Sequence, residues 1–334
     1  MLPRPHVSWW NNRRRRIMFL KRVAQLSLIA LLTVPTTGSA GIATEASKRP
    51  HMDLAFCIDT TGSMQNEIDM VKTKTKELVA KLSTGKPAPI VRVGLVAYRD
   101  RGDEYVTKVF PFTDDIDHVV KDISSLQAAG GGDGPESVNE GLHVALNTLQ
   151  WTEEKGAAKL LFLIGDAPPH FYVNDYKWED ESKNAISRGI QINPIACRGL
   201  ESYPAADGTQ VFQQIAKLTD GKYDTLSYRQ EVADAAGKKT TVVTRGGAAY
   251  KVDAPASEWK SAVASGRMTA MPMASPAAMY AARPMGGAGA AMVRGGLMRD
   301  AAPAMSESRA DSNLDEIVLG AARAKAAKQL NVHY

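Results

Sequence analysis

Hydrophobic positions along this chain follow two alternating periods. DLAFCID at 53–59 is a short apolar run closed by an acid. Met64, Ile68, Val71, Thr75, Leu78 and Leu82 then recur at spacings of three and four, one stripe of an amphipathic helix. IVRVGLVAY at 90–98 is β-rich, and YVTKVFPF at 105–112 is a second strand whose Pro111 predicts a sheet edge. A short helix is predicted over 116–126 and another on Val138, Leu142, Ala145, Leu146 and Leu149. KLLFLIGD at 159–166 is almost continuously apolar, as a strand buried on both faces should be. A helix over 178–188, a strand over 189–196, a helix carrying Val211, Phe212, Ile215 and Leu218, and a closing strand over 222–227 complete the series. This alternation predicts an α/β fold: a doubly wound, mostly parallel sheet with helices on both faces. The two successive strands within 90–112 predict a hairpin, hence one antiparallel edge strand.

The remainder divides into shorter zones. Residues 229–262 are a small polar extension with a hairpin expected in TTVVTRGGAAYKV, and 263–312 are a low-complexity linker rich in Ala, Gly, Met and Pro. Eight of the 13 methionines fall in 268–305. Thioethers can bind Cu(I), but irregular spacing among Ala, Gly and Pro favours a linker. Residues 313–330 predict a helix with Leu314, Ile317, Val318, Ala321, Ala324 and Leu330 available to dock on the domain or on a partner.

Composition narrows the class. With 44% hydrophobic and 23% charged residues in 334, the chain can build a core. Two cysteines exclude a disulfide scaffold and a four-cysteine zinc site, and six scattered histidines form no ligand cluster. Cys57 and Cys197 are expected about two strand spacings apart, too far for a disulfide. The net charge of +5 is local: residues 1–40 hold seven basic residues and no acid, which leaves 34 basic against 36 acidic elsewhere. Nucleic acid is therefore not an expected partner.

The basic block at 13–16, the 12-residue apolar run VAQLSLIALLTV and the small residues Gly38 and Ala40 read as a signal peptide over 1–40. The run is shorter than the roughly 20 residues of a membrane span. The protein is expected to be secreted or periplasmic, with no stable membrane span after cleavage. Arg15-Arg16-Ile17-Met18-Phe19 loosely resembles a twin-arginine signal, and ordinary secretion is the simpler reading.

Two acids end two buried strands. Asp59 opens DTTGS, Asp166 ends LLFLIGD, and a Gly-rich loop, AAGGGDGPES at 128–137, lies between them in sequence. In open α/β sheets ligands gather outside the carboxyl ends of strands. Asp59, Thr61, Ser63, Asp133, Glu136 and Asp166 thus offer hard oxygen donors suited to a divalent cation, with Mg²⁺ expected and Ca²⁺ or Mn²⁺ as alternatives. Ser63 is also placed to cap the following helix. Glu136 has a second explanation, since acids in a first helical turn are favoured by the helix dipole. Asp100 is read either as a group behind the site or as the start of the turn DRGDE, with the turn preferred. His143 is expected to pack at mid-helix, and His170, after the Ala-Pro-Pro turn that follows Asp166, either to approach the site or to be a surface-loop residue, with the loop preferred. Arg101-Gly102-Asp103 sits where a turn needs Gly and Asp and is given no functional weight. No GxxxxGK[ST], GxSxG or HExxH motif occurs, so the chain is not expected to be an enzyme.

DTTGS, GGGDGPES and LIGDAPPH, in this order over about 52–228, resemble the von Willebrand factor A domain, more narrowly its secreted and kinase-associated branch with DTTGSM and GGDGPE. The resemblance implies a metal-ion-dependent adhesion site in which Asp59, Thr61 and Ser63 supply the acid and hydroxyls and Asp166 the later acid. Thr61 stands where the family has a serine. The family's Gly-rich-loop threonine is replaced by Asp133, with Glu136 nearby as a second candidate. A third acid would hold the cation tighter and make it a weaker electrophile. Asp133 could instead bind through water or organise its loop. The implied partner is a protein presenting an acidic side chain. Alternatives are an envelope structural or stress-related protein whose metal only stabilises the fold, and a metal-dependent hydrolase.

Overall fold

The computed structural model describes residues 49–132, 134–233, 237–271 and 311–334. Asp133, the expected signal peptide and most of the Met-rich interval lie outside the described residues. Among the described residues no helix is long and apolar enough to cross a membrane.

The first sheet has six strands: β1 (His51–Asp59), β2 (Ile90–Tyr98), β3 (Thr107–Thr113), β4 (Ala158–Gly165), β5 (Ile190–Ala196) and β6 (Asp224–Thr225). Their spatial order is β3-β2-β1-β4-β5-β6. All pairs are parallel except β2–β3, which is antiparallel and carries a register shift between Val93 and Leu95. Pro111 lies within the edge strand β3, where a missing N–H is tolerated.

Helices cover both faces: α1 (Gln65–Leu82), α2 (Ile116–Ser124), α3 (Val138–Asn147), α4 (Trp178–Ser187) and α5 (Thr209–Leu218). Alternate residues of one strand serve opposite faces. Phe56 and Ile58 of β1, with Leu160 and Phe162 of β4, pack under Ile68, Val71 and Leu78 of α1. Ala55 and Cys57, with Leu161 and Leu163, face Leu142 and Ala145 of α3 and Phe212 of α5. Cys57 and Cys197 are buried free thiols in cores on opposite faces of the sheet.

The closing strand expected over 222–227 is cut short. It pairs with β5 at Asp224 and Thr225, after which Ser227 begins β7 (Ser227–Ala233) of a second sheet. That sheet adds β8 (Lys239–Arg245), β9 (Ala248–Val252), β10 (Met268–Ala270) and β11 (Asp311–Ser312), in the antiparallel order β10-β9-β8-β7-β11. The hairpin expected in TTVVTRGGAAYKV is formed by β8 and β9, which lie in the middle of this five-stranded sheet. The interval 263–312 contributes strands near both its ends. Helix α6 (Trp259–Ala264) closes this sheet's own core through Trp259, Ala262 and Val263 against Val243 and Val252.

After β11 the chain returns to the first sheet. Helix α7 (Leu314–Leu330) buries Leu314, Val318, Leu319, Ala322 and Ala326 in the core that contains Phe56 and Leu160. The Tyr334 hydroxyl donates to the Leu82 carbonyl at 3.0 Å, and Lys86 and His333 form a β-bridge. The second sheet is thus an insertion between the sixth strand and the last helix of the α/β unit.

Candidate metal centre

The chain leaves β1 toward β2 on one side and enters β4 toward β5 on the other, so the loops after β1 and β4 part at the sheet's switch point. Asp59 is the last residue of β1 and fully buried. Its Oδ1 accepts from the Thr61 N–H at 2.8 Å and the Thr61 hydroxyl at 2.7 Å. Its Oδ2 has no hydrogen-bond partner among the described residues. Burial first and the charge of Asp166 second push the Asp59 carboxyl up to about 8, against the pull of the Thr61 bonds.

The Gly-rich loop is laced to this turn. Gly62 N–H donates to the Gly130 carbonyl at 3.2 Å and Ala129 N–H to the Thr60 carbonyl at 3.1 Å. The buried Arg99 guanidinium donates to the same Thr60 carbonyl and to that of Gln127, tying the two loops from behind. Gly130 and Gly131 have φ of 79° and 76°, and a Cβ at Gly131 would lie 2.9 Å from both Thr61 Cβ and Glu136 Oε1. Glycine there lets Thr61 and Glu136 close on one crevice.

Glu136 is buried, and its Oε2 has no partner among the described residues. Burial, followed by the charges of Asp59, Asp100, Asp103 and Asp166, pushes it up to about 9. Its N–H donates to the Pro168 carbonyl at 3.0 Å and its carbonyl accepts from the His170 N–H at 2.8 Å. Those bonds join it to the loop that follows Asp166. Glu136 lies one residue before Ser137, the N-cap of α3, whose own first turn carries Glu140. Asp166 is buried just beyond β4, against Gly199.

The expected donors are placed unequally. Asp59, Thr61, Glu136 and Asp166 come together at the sheet's top. Ser63 is exposed within a 3-10 turn, Gly62–Met64, and does not cap α1, whose N-cap is Met64. Asp133 lies outside the described residues. Among the described residues no three His, Cys, Asp or Glu side chains form a metal cage by themselves. Carboxylate and hydroxyl oxygens, two of them buried without a partner, fit a hard divalent cation.

Several neighbours were not legible in the spacing. Asp100 begins its turn, with its carbonyl accepting from Asp103 N–H at 3.3 Å, and its buried carboxylate also gathers three loops. It accepts from Ser137 Oγ at 2.8 Å and Tyr172 Oη at 2.5 Å, and lies 3.3 Å from His170 Nδ1. His170 is therefore fastened beside the site, stacked on Tyr172 at 4.0 Å, rather than loose on a surface loop. Asp103 accepts from Gly131 N–H at 3.1 Å, which folds Arg101-Gly102-Asp103 into the loop framework. His143 packs half-buried, its Nδ1 2.8 Å from Glu181 Oε1 and its ring 3.5 Å from Tyr176. Glu67, buried in the first turn of α1, accepts from the Tyr228 hydroxyl of β7 at 2.6 Å. The Asp100 turn and the packing of His143 follow from local sequence, whereas the contacts of Asp103 with Gly131, Asp100 with Ser137, His143 with Glu181 and Glu67 with Tyr228 each span 28 or more residues, so no local signal pointed to them.

Known proteins share this unit. The chain is 28% identical over 145 residues to the alpha-protein kinase vwkA of Dictyostelium discoideum, covering 43% of this chain and 23% of that one. It is 37% identical over 97 residues to the human von Willebrand factor A domain-containing protein 7, covering 29% and 10% respectively. It therefore spans less than a quarter of the length of these relatives. Among solved structures, the conserved hypothetical protein BatB from Bacteroides thetaiotaomicron matches with a TM-score of 0.39 at 17% identity, covering 53% of this chain and 89% of that one. The family model for the von Willebrand factor A domain matches residues 53–228, just over half of the chain, and the chain belongs to that family.

Proposed function

We propose that this protein is an exported interaction module that binds a divalent cation at the top of its parallel sheet and uses it to engage an acidic side chain of a protein partner. Von Willebrand factor A domains mediate protein–protein interaction, which sets the class. The observation that carries the finer reading is the pair of buried, unpartnered carboxylate oxygens, Asp59 Oδ2 and Glu136 Oε2, contributed by two different loops. A buried charge without a partner costs several kcal/mol, so such oxygens persist where a ligand compensates them.

The residues divide the work. Thr61 holds Asp59 Oδ1 with two hydrogen bonds and leaves Oδ2 for an ion. Glu136 is held through its backbone N–H and carbonyl, and its Oε2 is left for an ion. Asp166 completes the acidic wall, and Ser63, exposed at the rim, offers a hydroxyl from the solvent side. When bound, Mg²⁺, or Ca²⁺ or Mn²⁺ in its place, supplies positive charge and a coordination position open to a partner's carboxylate. Each carboxylate that ligates the ion neutralises part of that charge, so cation binding should be tighter than partner capture. Export rests on the basic and apolar pattern of residues 1–40.

The test is calorimetric titration of Mg²⁺, Mn²⁺ and Ca²⁺ into the full-length protein and its Asp59→Ala variant. Binding in the wild type that weakens at least about tenfold in the variant is expected. No binding in either protein, or equal binding in both, overturns the metal reading.

A further inference from the structure

A phenol stands where the carboxylates converge. Tyr98 ends β2 and is in register with Asp59 on the neighbouring strand. Its side chain is fully buried, and its hydroxyl has no hydrogen-bond partner among the described residues. Other tyrosines around these loops are tied down: Tyr105 to Thr60 at 2.8 Å, Tyr172 to Asp100 at 2.5 Å, and Tyr203 to the Gly134 carbonyl at 2.8 Å.

Two glycines make the slot that Tyr98 fills. A Cβ on Gly141 of α3 would lie 2.9 Å from its ring, and one on Gly165 of β4 would lie 2.5 Å from its hydroxyl oxygen. That same Gly165 position is 3.7 Å from Asp59 Oδ2. An unpaired donor and an unpaired acceptor therefore flank one glycine without bonding to each other. The charges of Asp59, Glu136 and Asp166 all bear on the phenol. A phenylalanine would fill the slot without the cost of an unpaired buried hydroxyl, about 1–3 kcal/mol. The hydroxyl needs a reason, and a phenol can donate and accept at once.

Resting on the cation reading above, we propose that Tyr98 is a positioning residue of the metal centre: its hydroxyl donates to a carboxylate oxygen of the site and accepts from a water on the bound cation. The phenol thereby orients a ligand and a water together. Groups that orient metal ligands in this way typically contribute about 10–100-fold in affinity.

The experiment is calorimetric titration of Mg²⁺ into full-length Tyr98→Phe, Gly165→Ala and the double variant, alongside thermal unfolding of each without cation. Tyr98→Phe should bind Mg²⁺ about tenfold more weakly than wild type. Its cation-free form should melt no lower, because the lost hydroxyl had no partner. Gly165→Ala pushes a methyl group onto the hydroxyl, so it should weaken binding alone and add little in the double variant. An affinity of Tyr98→Phe within about twofold of wild type overturns the proposal and leaves the cation reading standing. Absence of Mg²⁺ binding in the wild type overturns both. Weaker binding with a lowered melting temperature and additive effects marks Tyr98 as packing alone, which also overturns the proposal.

Discussion

The crown of the parallel sheet and the inserted sheet treat buried acids in opposite ways. Around the insertion, Asp315 places both its oxygens 2.6 Å from Lys260 Nζ, and Asp224 accepts from Arg245 at 2.9 Å. At the crown, Asp59 and Glu136 each keep an oxygen unpaired, and both carboxyls are pushed up by burial, with the charge of Asp166 adding to it at Asp59 and that of Asp59 at Glu136. Arg99, the buried cation nearest in sequence to that crown, donates to the Thr60 and Gln127 carbonyls and to Glu104 instead. A paired acid holds two elements together. An unpaired buried acid destabilises the fold it sits in, and the crown's backbone bonding, loop to loop, is what keeps such acids in place.

The largest expected effect tests where the insertion ends. Leu319 is buried in the core of the parallel sheet although it follows the second sheet in sequence. Leu319→Ala should cost about 3 kcal/mol in urea unfolding, within a single transition. A loss below about 0.5 kcal/mol, the size of an ordinary surface change, would separate α7 from that core.

The paired acids come next. Lys260→Ala leaves Asp315 buried without its cation and should cost about 2 kcal/mol, less than a fully buried pair because Lys260 is partly exposed. Mg²⁺ affinity should stay at the wild-type value, since this pair joins α6 to α7 and bonds to none of the crown's carboxylates. A fall in affinity would show that the two regions are not independent.

The smallest effect has the opposite sign. Asp59→Asn removes a carboxyl that burial pushes up to about 8 and whose ionisation at neutral pH favours the unfolded chain, so the cation-free protein should gain about 1 kcal/mol. The same change should abolish the rise in melting temperature that Mg²⁺ produces in the wild type. A cation-free variant less stable than wild type would place Asp59 with the structural acids of the insertion.

Legibility followed locality. The continuous apolar run of β4 and the helical stripe of α1 show in the amino-acid order because each element's burial repeats with its own period. The strand β11 is two residues long and pairs with Tyr228 and Arg229, far away in sequence, so no periodicity marks it. The change of sheet after Thr225 is hidden for the same reason: 222–227 reads as one strand, and only its pairing partners differ. At the site, the spacing of Asp59 and Thr61 and the strand end before Asp166 were visible. The joining of His170 and Tyr172 to Asp100 was not, because it spans about 70 residues.

By itself, then, the sequence determined the alternation of strands and helices and which acids end the buried strands, since periodicity and turn chemistry are written over a few consecutive residues. The tertiary structure alone decided that a sheet is inserted before the last helix, that Glu136 reaches the crevice beside Thr61, and that Tyr98 Oη and Asp59 Oδ2 are left unpaired on either side of Gly165. Whether a buried oxygen finds a partner depends on every chain segment packed around it, and those segments come from distant parts of the sequence.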